Sequence, residues 1–325
     1  MLRAYGEKRK CYVIFPKGTI KREQALKIAV QTGEIVNRFG IEDGFRMIRE
    51  AGFEAVDANL DHWLTPTQIK SGSLQGCLFE RSDAEIKEFC GPYIDALSKN
   101  GLTITQAHAP FPSRVGDTRV NAYVLAALER TIAMCGYIGC PRLVIHPSYL
   151  PFAERGEDEW EYNIHLYSSL IPALRANGVM CCLENMYTHY RSQLMCGPCA
   201  TASEANAYID ALNDLAGERL FGFCLDIGHA QLVSQDIRAF ILQLGNNLAC
   251  FHIHDNDGYE DQHLFPYTGI IDWNRFCDGV RDSVYRGDLS FETFNGLNQY
   301  PAELALPALR LAASAADYFR SRILE

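Results

Sequence analysis

The chain has 325 residues, a net charge of −10 at pH 7 and a pI near 5.4, with 48% hydrophobic and 22% charged residues. This is the composition of a soluble globular protein; its acidity argues against a basic groove for nucleic acid, and no apolar run reaches the length of a membrane span. The start, Met1 to Lys8, lacks the apolar core of a signal peptide. Most of the twelve cysteines, such as Cys181, Cys182, Cys224 and Cys250, sit inside apolar runs where a free thiol packs as a small hydrophobe. A reducing, cytoplasmic setting is expected.

In chain order, residues 1–10 read as an N-terminal extension, 11–16 (CYVIFP) as a first strand and 21–39 as a helical insertion ending at Gly40. Asp43 is placed to cap a helix that Gly52 stops, and 53–60 is a second strand. Residues 83–98 form a helix with Ile86, Phe89, Ile94 and Leu97 on one stripe, and 102–110 a third strand closing on His108. The alternation continues through a helix at 118–135 and a strand at 142–147 ending in His146-Pro147. A helix at 162–177 and a strand at 179–185, ending in Glu184-Asn185, come next. Then follow a helix at 203–215, a strand at 221–229 running through Asp226 to His229, and a helix at 235–244.

The next strand carries His252 and His254, which period-two spacing puts on one face, before Asp255-Asn256-Asp257-Gly258 breaks the run. Asp261 and His263 follow one short loop later. A helix at 273–284, an eighth strand at 289–294 bearing Glu292, and a helix at 303–320 complete the chain.

Eight strands alternating with helices predict a single α/β domain over 1–325, a closed parallel (β/α)8 TIM barrel. The polar residues are not scattered. His108, His146, Glu184, Asp226, His252 and Glu292 fall at or near the C-terminal ends of six successive strands, the rim where barrels of this class carry their sites. Glu184, Asp226, His252 and Glu292 together offer three carboxylates and one imidazole. That set suits a divalent ion of borderline to hard character, Mn2+ first, with Mg2+, Co2+ or Zn2+ as alternatives. His254 is the rival for the ligand on its strand.

These pieces resemble a known family. Leu183-Glu184-Asn185, Leu225 to His229, the His-x-x-Asp of His252 to Asp255, Asp261-Gln262-His263, Gly269 to Trp273, and Glu292 are similar to the xylose isomerase-like TIM-barrel superfamily. That superfamily holds sugar-phosphate isomerases and epimerases together with the endonuclease IV type of DNA-repair enzyme. The resemblance runs from Cys11 to the end of the chain. It implies a four-ligand ion at Glu184, Asp226, His252 and Glu292, with His229 touching substrate. One departure is visible: where relatives carry Gly-x-Gly ahead of Ile-Asp-Trp, this chain has Tyr267-Thr268-Gly269.

The expected function is therefore a metal-dependent sugar isomerase or epimerase. A cation chelating a carbonyl and its neighbouring hydroxyl acidifies the proton between them and stabilises the resulting enediolate. Glu184 and Glu292 are the candidate proton carriers; His108, His146 or His229 is the alternative. His108, His254, Asp261 and His263 are further candidate substrate contacts, and Trp63, just after the second strand, could stack on a sugar ring.

Three other readings compete. The nuclease branch binds three zinc ions through nine residues whose types recur here as His108, His146, Glu184, Asp226, His229, His252, Asp261, His263 and Glu292. A lyase similar to the large subunit of C-glycoside deglycosidases would use His146 as base and pair with a smaller subunit; otherwise a homo-oligomer is the expected assembly. A non-catalytic sugar-binding barrel is the last. Cys196-Gly197-Pro198-Cys199 copies a redox dithiol, but its place after the fifth strand favours a turn or a lid over the site.

Overall fold

The computed structural model describes residues 26–150 and 157–325. The extension at 1–10 and the strand expected at 11–16 lie outside the described residues. In chain order the strands are β1 (Ile28–Gln31), β2 (Ala55–Asn59), β3 (Thr103–His108), β4 (Arg142–Ile145), β5 (Met180–Glu184), β6 (Tyr187–Tyr190), β7 (Gln193–Cys196), β8 (Phe221–Asp226), β9 (Leu248–His252) and β10 (Leu289–Phe291). The helices are α1 (Gly33–Ala51), α2 (Pro66–Ser71), α3 (Asp83–Asn100), α4 (Thr118–Ile138), α5 (Glu157–Ser169), α6 (Ile171–Asn177), α7 (Ala202–Ala216), α8 (Ile227–Leu232), α9 (Ile237–Leu244), α10 (Trp273–Asp282), α11 (Phe294–Asn298) and α12 (Ala302–Leu324).

Eight parallel strands pair in the order β10-β1-β2-β3-β4-β5-β8-β9, and β6 and β7 form a separate antiparallel hairpin. The ring closes between its two ends, where Ile253 N donates to Ser290 O at 2.9 Å and Glu292 N to Ile253 O at 3.0 Å. Both faces of the strands are buried, so their sequences read as apolar runs instead of alternating. Outside the barrel, Phe319 of α12 stacks on Trp273 of α10 and on Phe291 of β10, at centroid distances of 5.0 and 6.0 Å. These contacts seat the last helix against the closing strand, where aromatic pairs add about 0.5–1.5 kcal/mol each beyond their buried area.

Several boundaries differ from those expected. The described part of the supposed helical insertion is β1 followed by α1, because a four-residue apolar strand is too short to show a period of its own. Gly40, at φ +76°, breaks α1 in the middle; Asp43 lies inside the helix, paired with Arg46 at 2.9 Å, and does not cap it. The helix expected at 162–177 is two, α5 and α6, parted at Leu170 ahead of Pro172. The strand expected to reach His229 stops at Asp226, whose carboxylate accepts from His229 N at 2.6 Å and so caps α8. The eighth barrel strand stops at Phe291. Where a loop is expected after the fifth barrel strand, β6 and β7 pair as a hairpin, Tyr187 opposite Cys196.

Candidate active site

The strand ends deliver the polar residues to one place. His108, Glu184, Asp226 and His252 are the last residues of β3, β5, β8 and β9; His146 and Glu292 follow β4 and β10 by one residue. His252 Nδ1 lies 3.1 Å from Glu184 Oε1, 3.3 Å from Glu292 Oε2 and 4.0 Å from Asp226 Oδ2. His146 Nε2 lies 3.1 Å from Glu184 Oε2 and 3.0 Å from His108 Nε2. His229 Nε2 and His263 Nε2 each lie 3.1 Å from Asp261 Oδ2. His254 faces Asp226, with Nε2 3.0 Å from Oδ2, and its ring stacks on His263 at 3.9 Å. Gly228 is what admits that ring, since a Cβ there would meet His254 Cε1 at 2.0 Å.

The donor pattern fits cations. His108, His229 and His263 each turn Nδ1 to a main-chain oxygen, of Ala109, Asn185 and Glu292 respectively, at 2.8, 2.9 and 3.0 Å. If Nδ1 carries the hydrogen, Nε2 of a neutral ring is a bare lone pair. Two such lone pairs then converge on one Asp261 oxygen, which repels unless both rings are protonated or a cation stands between them. Glu184 Oε2, His254 Nδ1 and Asp261 Oδ1 are buried without a hydrogen-bond partner. Five overlapping sets bring ligand atoms within 4.8 Å of one another: Glu184, Asp226 and His252; His108, His146 and Glu184; His229, His254, Asp261 and His263; His108, His252 and Glu292; and Asp226, His254 and Glu292.

Electrostatics point the same way. Burial pushes the Glu184 carboxyl up, but the His252 and His146 rings outweigh it and hold it well below the usual range. Burial pushes Glu292 up to about 7, against the pull of His252 and His263. Despite burial, Glu292 and Glu184 raise His252 well above its ordinary value, and Asp226 and Asp261 do the same for His229. His263 is buried too, yet Asp261 and Glu292 carry it up to about 9. Burial and the neighbouring His146 push His108 down to about 3. Without a cation, then, protons on several rings balance the carboxylates; a bound cation would take over that role and leave the rings as neutral ligands.

A cavity of about 770 Å3 opens above the cluster, with Glu184, Glu292, His108, His146, His229 and His263 in its lining. The hairpin side is walled by Tyr187, whose ring lies 5.1 Å from that of His229 and whose carbonyl accepts from Tyr149 OH at 2.9 Å. Phe111 packs against both the His108 and His146 rings, at 5.4 and 4.8 Å. Trp63 is a correction: it does not line the cavity but packs edge-on against Phe89 and Tyr93 of α3, at 4.9 and 5.9 Å. His254, expected as a substrate contact, is fully buried behind Asp226.

Sequence reasoning missed the residues that support the cluster from below. Asp57, on β2 and fully buried, brings Oδ2 to 3.4 Å from His252 Nε2 and accepts from Gln106 Nε2 at 2.8 Å and Ser290 Oγ at 3.1 Å. Gln31 Nε2 donates to Glu292 Oε1 at 2.5 Å. Asn185 clamps the end of β8, donating to Asp226 O and accepting from Asp226 N, both at 2.8 Å.

The stretch from His252 to Trp273 is a braced loop. Asp255 accepts from Ile271 N at 3.2 Å and from Trp273 Nε1 at 3.1 Å. At the departure from the family pattern, Tyr267 stands at φ +72°, a left-handed conformation that glycine adopts without strain.

A family model described as xylose isomerase-like TIM barrel matches residues 45–321. The chain is 38% identical over 273 residues to the uncharacterized protein y4fM of Sinorhizobium fredii, covering 78% of this chain and 81% of that one. It is 23% identical to a fructoselysine 3-epimerase of Shigella flexneri, covering 89% and 95%. Among solved structures, one of L-ribulose 3-epimerase superposes with a TM-score of 0.68 at 17% identity, covering 92% of this chain and 96% of that one, a likeness of fold. Among the described residues, no helix is long and apolar enough to cross a membrane.

Proposed function

Because the chain belongs to the xylose isomerase-like TIM-barrel family, we propose that it is a divalent-metal-dependent sugar isomerase or epimerase, moving a proton on a carbon beside a carbonyl. The observation that carries this is the pair Glu184 and Glu292, which flank His252 Nδ1 at 3.1 and 3.3 Å on the cavity floor. Likeness to a fructoselysine 3-epimerase supports it. Glu184, Asp226, His252 and Glu292 would hold the ion, Mn2+ being the first choice for three carboxylates and one imidazole. When bound, the ion supplies positive charge that acidifies the substrate C–H and offsets the charge developing on its oxygens.

The chain's own residues do the rest. Glu184 takes the proton from one side of the carbon, and Glu292, through the oxygen turned to substrate, returns one from the other. Return to the opposite face of the same carbon is epimerisation, and return to the adjacent carbon is isomerisation. Gln31 fixes the rotamer of Glu292, His229 meets a substrate oxygen at the wall, and Phe111 and Tyr187 exclude water. The test is solvent-deuterium incorporation by the Mn2+-loaded protein across a panel of keto-sugars. Metal-loaded protein that labels none of them refutes the reading.

One observation favours a second reading, a three-ion phosphodiesterase of the endonuclease IV type. The nine candidate ligands are spread over several overlapping groups, not one. A count of three zinc ions per chain together with cleavage of an abasic-site duplex would put it first. A cavity partly walled by the hairpin and an acidic chain favour a small substrate over a duplex.

A further inference from the structure

A second cavity, of about 420 Å3, lies at the opposite end of the barrel from the ligand cluster. It is walled by residues that begin strands or precede them: Arg142 opens β4, Met180 opens β5 and Leu248 opens β9, while Arg219 lies two residues ahead of β8 and Arg286 three ahead of β10. We infer that this cavity binds a small phosphate-type oxyanion, held by the guanidinium groups of Arg142, Arg219 and Arg286.

None of the residues lining the cavity is acidic, in a protein where Asp and Glu number 40 against 30 Lys and Arg. Each guanidinium is tethered to main-chain oxygen. Arg142 Nη1 donates to Thr105 O at 3.2 Å, Arg219 Nη2 to Asn246 O, and Arg286 Nη1 to Ser283 O at 3.1 Å and Tyr285 O at 2.5 Å. Among the described residues, none of the three has a carboxylate within ion-pair distance, whereas Arg46, Arg130, Arg175, Arg238, Arg275 and Arg320 all do. Asp288 acts on Arg142 at longer range, but its two oxygens already accept from Lys27 N at 3.0 Å and Thr105 Oγ1 at 2.7 Å.

A guanidinium carries five N–H donors, so one or two tethers orient it and leave the remainder to bind. Three like charges gathered around one cavity repel, and Arg142, partly buried, forgoes solvation without gaining a carboxylate at ion-pair distance. A multivalent oxyanion offsets both costs, and several oxygens on one centre suit several guanidinium forks better than a single carboxylate does. The chain's first 25 residues hold seven Lys and Arg against two Glu, so they are a poor source of counter-charge.

The experiment titrates full-length, metal-loaded protein with inorganic phosphate, pyrophosphate and AMP by calorimetry, comparing wild type with the Arg219→Ala/Arg286→Ala variant. Both positions are exposed, so the variant should fold, which circular dichroism checks. Any phosphate bound at the ligand cluster is common to both proteins and drops out of the comparison. The expected result is binding that weakens by about tenfold or more in the variant, the size of losing charge-assisted hydrogen bonds. A preference for pyrophosphate would mark a free-anion site, and one for AMP a phosphate ester. Equal affinity in the two proteins, or no binding to wild type at millimolar ligand, overturns the inference.

Discussion

Replacing Asp57 by Asn tests whether the cluster is built for a cation. Asp57 Oδ2 is 3.4 Å from His252 Nε2, so the carboxylate favours the tautomer with hydrogen on Nε2 and leaves Nδ1 to face Glu184, Glu292 and Asp226. Asn keeps the shape and an acceptor for Gln106 and Ser290, but removes the charge that makes the ring a better donor to metal. Loss of such an outer carboxylate weakens metal binding about 10–100-fold, which is about 1.4–2.7 kcal/mol. Asp57→Ala should do more, since it also strands the buried donors of Gln106 and Ser290, each at about 1–3 kcal/mol of folding stability. Competition against a fluorescent chelator gives the Mn2+ dissociation constant, and urea unfolding of the metal-free proteins separates fold from affinity. A folded Asp57→Asn protein that binds Mn2+ within twofold of wild type would refute the reasoning.

Glu184→Gln and Glu292→Gln should each lower kcat about 10²–10⁴-fold, the range for loss of a general acid or base; metal content measured alongside separates lost proton transfer from lost ligation. Asp61, at the cavity wall, is raised from 3.8 to about 6, by burial first. A raised carboxyl contributes stability that is present below its unfolded value and lost as pH rises through about 6. Asp61→Asn should therefore stabilise metal-free protein by about 1–3 kcal/mol at pH 8, after allowance for partial exposure, and by nothing at pH 4; equal gains at both would show that charge is not the cause. Burial pushes the Cys199 thiol well above its ordinary value, while Cys196 is exposed. A thiol reagent should label Cys196 and spare Cys199 in native protein, and mass spectrometry finding both labelled would revive the dithiol reading.

The barrel and its ligand cluster were legible for the same reason. A parallel strand buried on both faces has no use for charge, so a carboxylate or imidazole closing an apolar run stands out, as at Leu183-Glu184 and Leu225-Asp226. Because every strand of a closed parallel barrel ends on the same rim, marks separated by tens of residues become neighbours. What was not legible lacked a local signal. The four residues of β1 are too few to display a period, and the Tyr187–Cys196 hairpin reads as polar loop because it covers the mouth of the barrel and not its core. Trp63 misled because an aromatic after a strand end has the same signature whether it turns to the cavity or, as here, to α3. Asp57 sits in mid-strand, and only the fold shows that mid-strand on β2 lies beneath His252.

The rings around Asp261 decide how much of the cluster belongs to one ion. His229 and His263 both spend Nδ1 on main-chain oxygens, so their Nε2 atoms reach Asp261 as a fixed pair. An enzyme with one ion at Glu184, Asp226, His252 and Glu292 must keep those two rings protonated to satisfy Asp261. It then presents positive charge at the wall where a sugar oxygen would lie. An enzyme with three ions needs the same rings neutral and the same carboxylate as ligand. One arrangement of side chains thus supports either chemistry. The epimerase reading therefore rests on the Glu184 and Glu292 pair, two carboxylates on either side of His252 Nδ1 placed for proton transfer at one carbon.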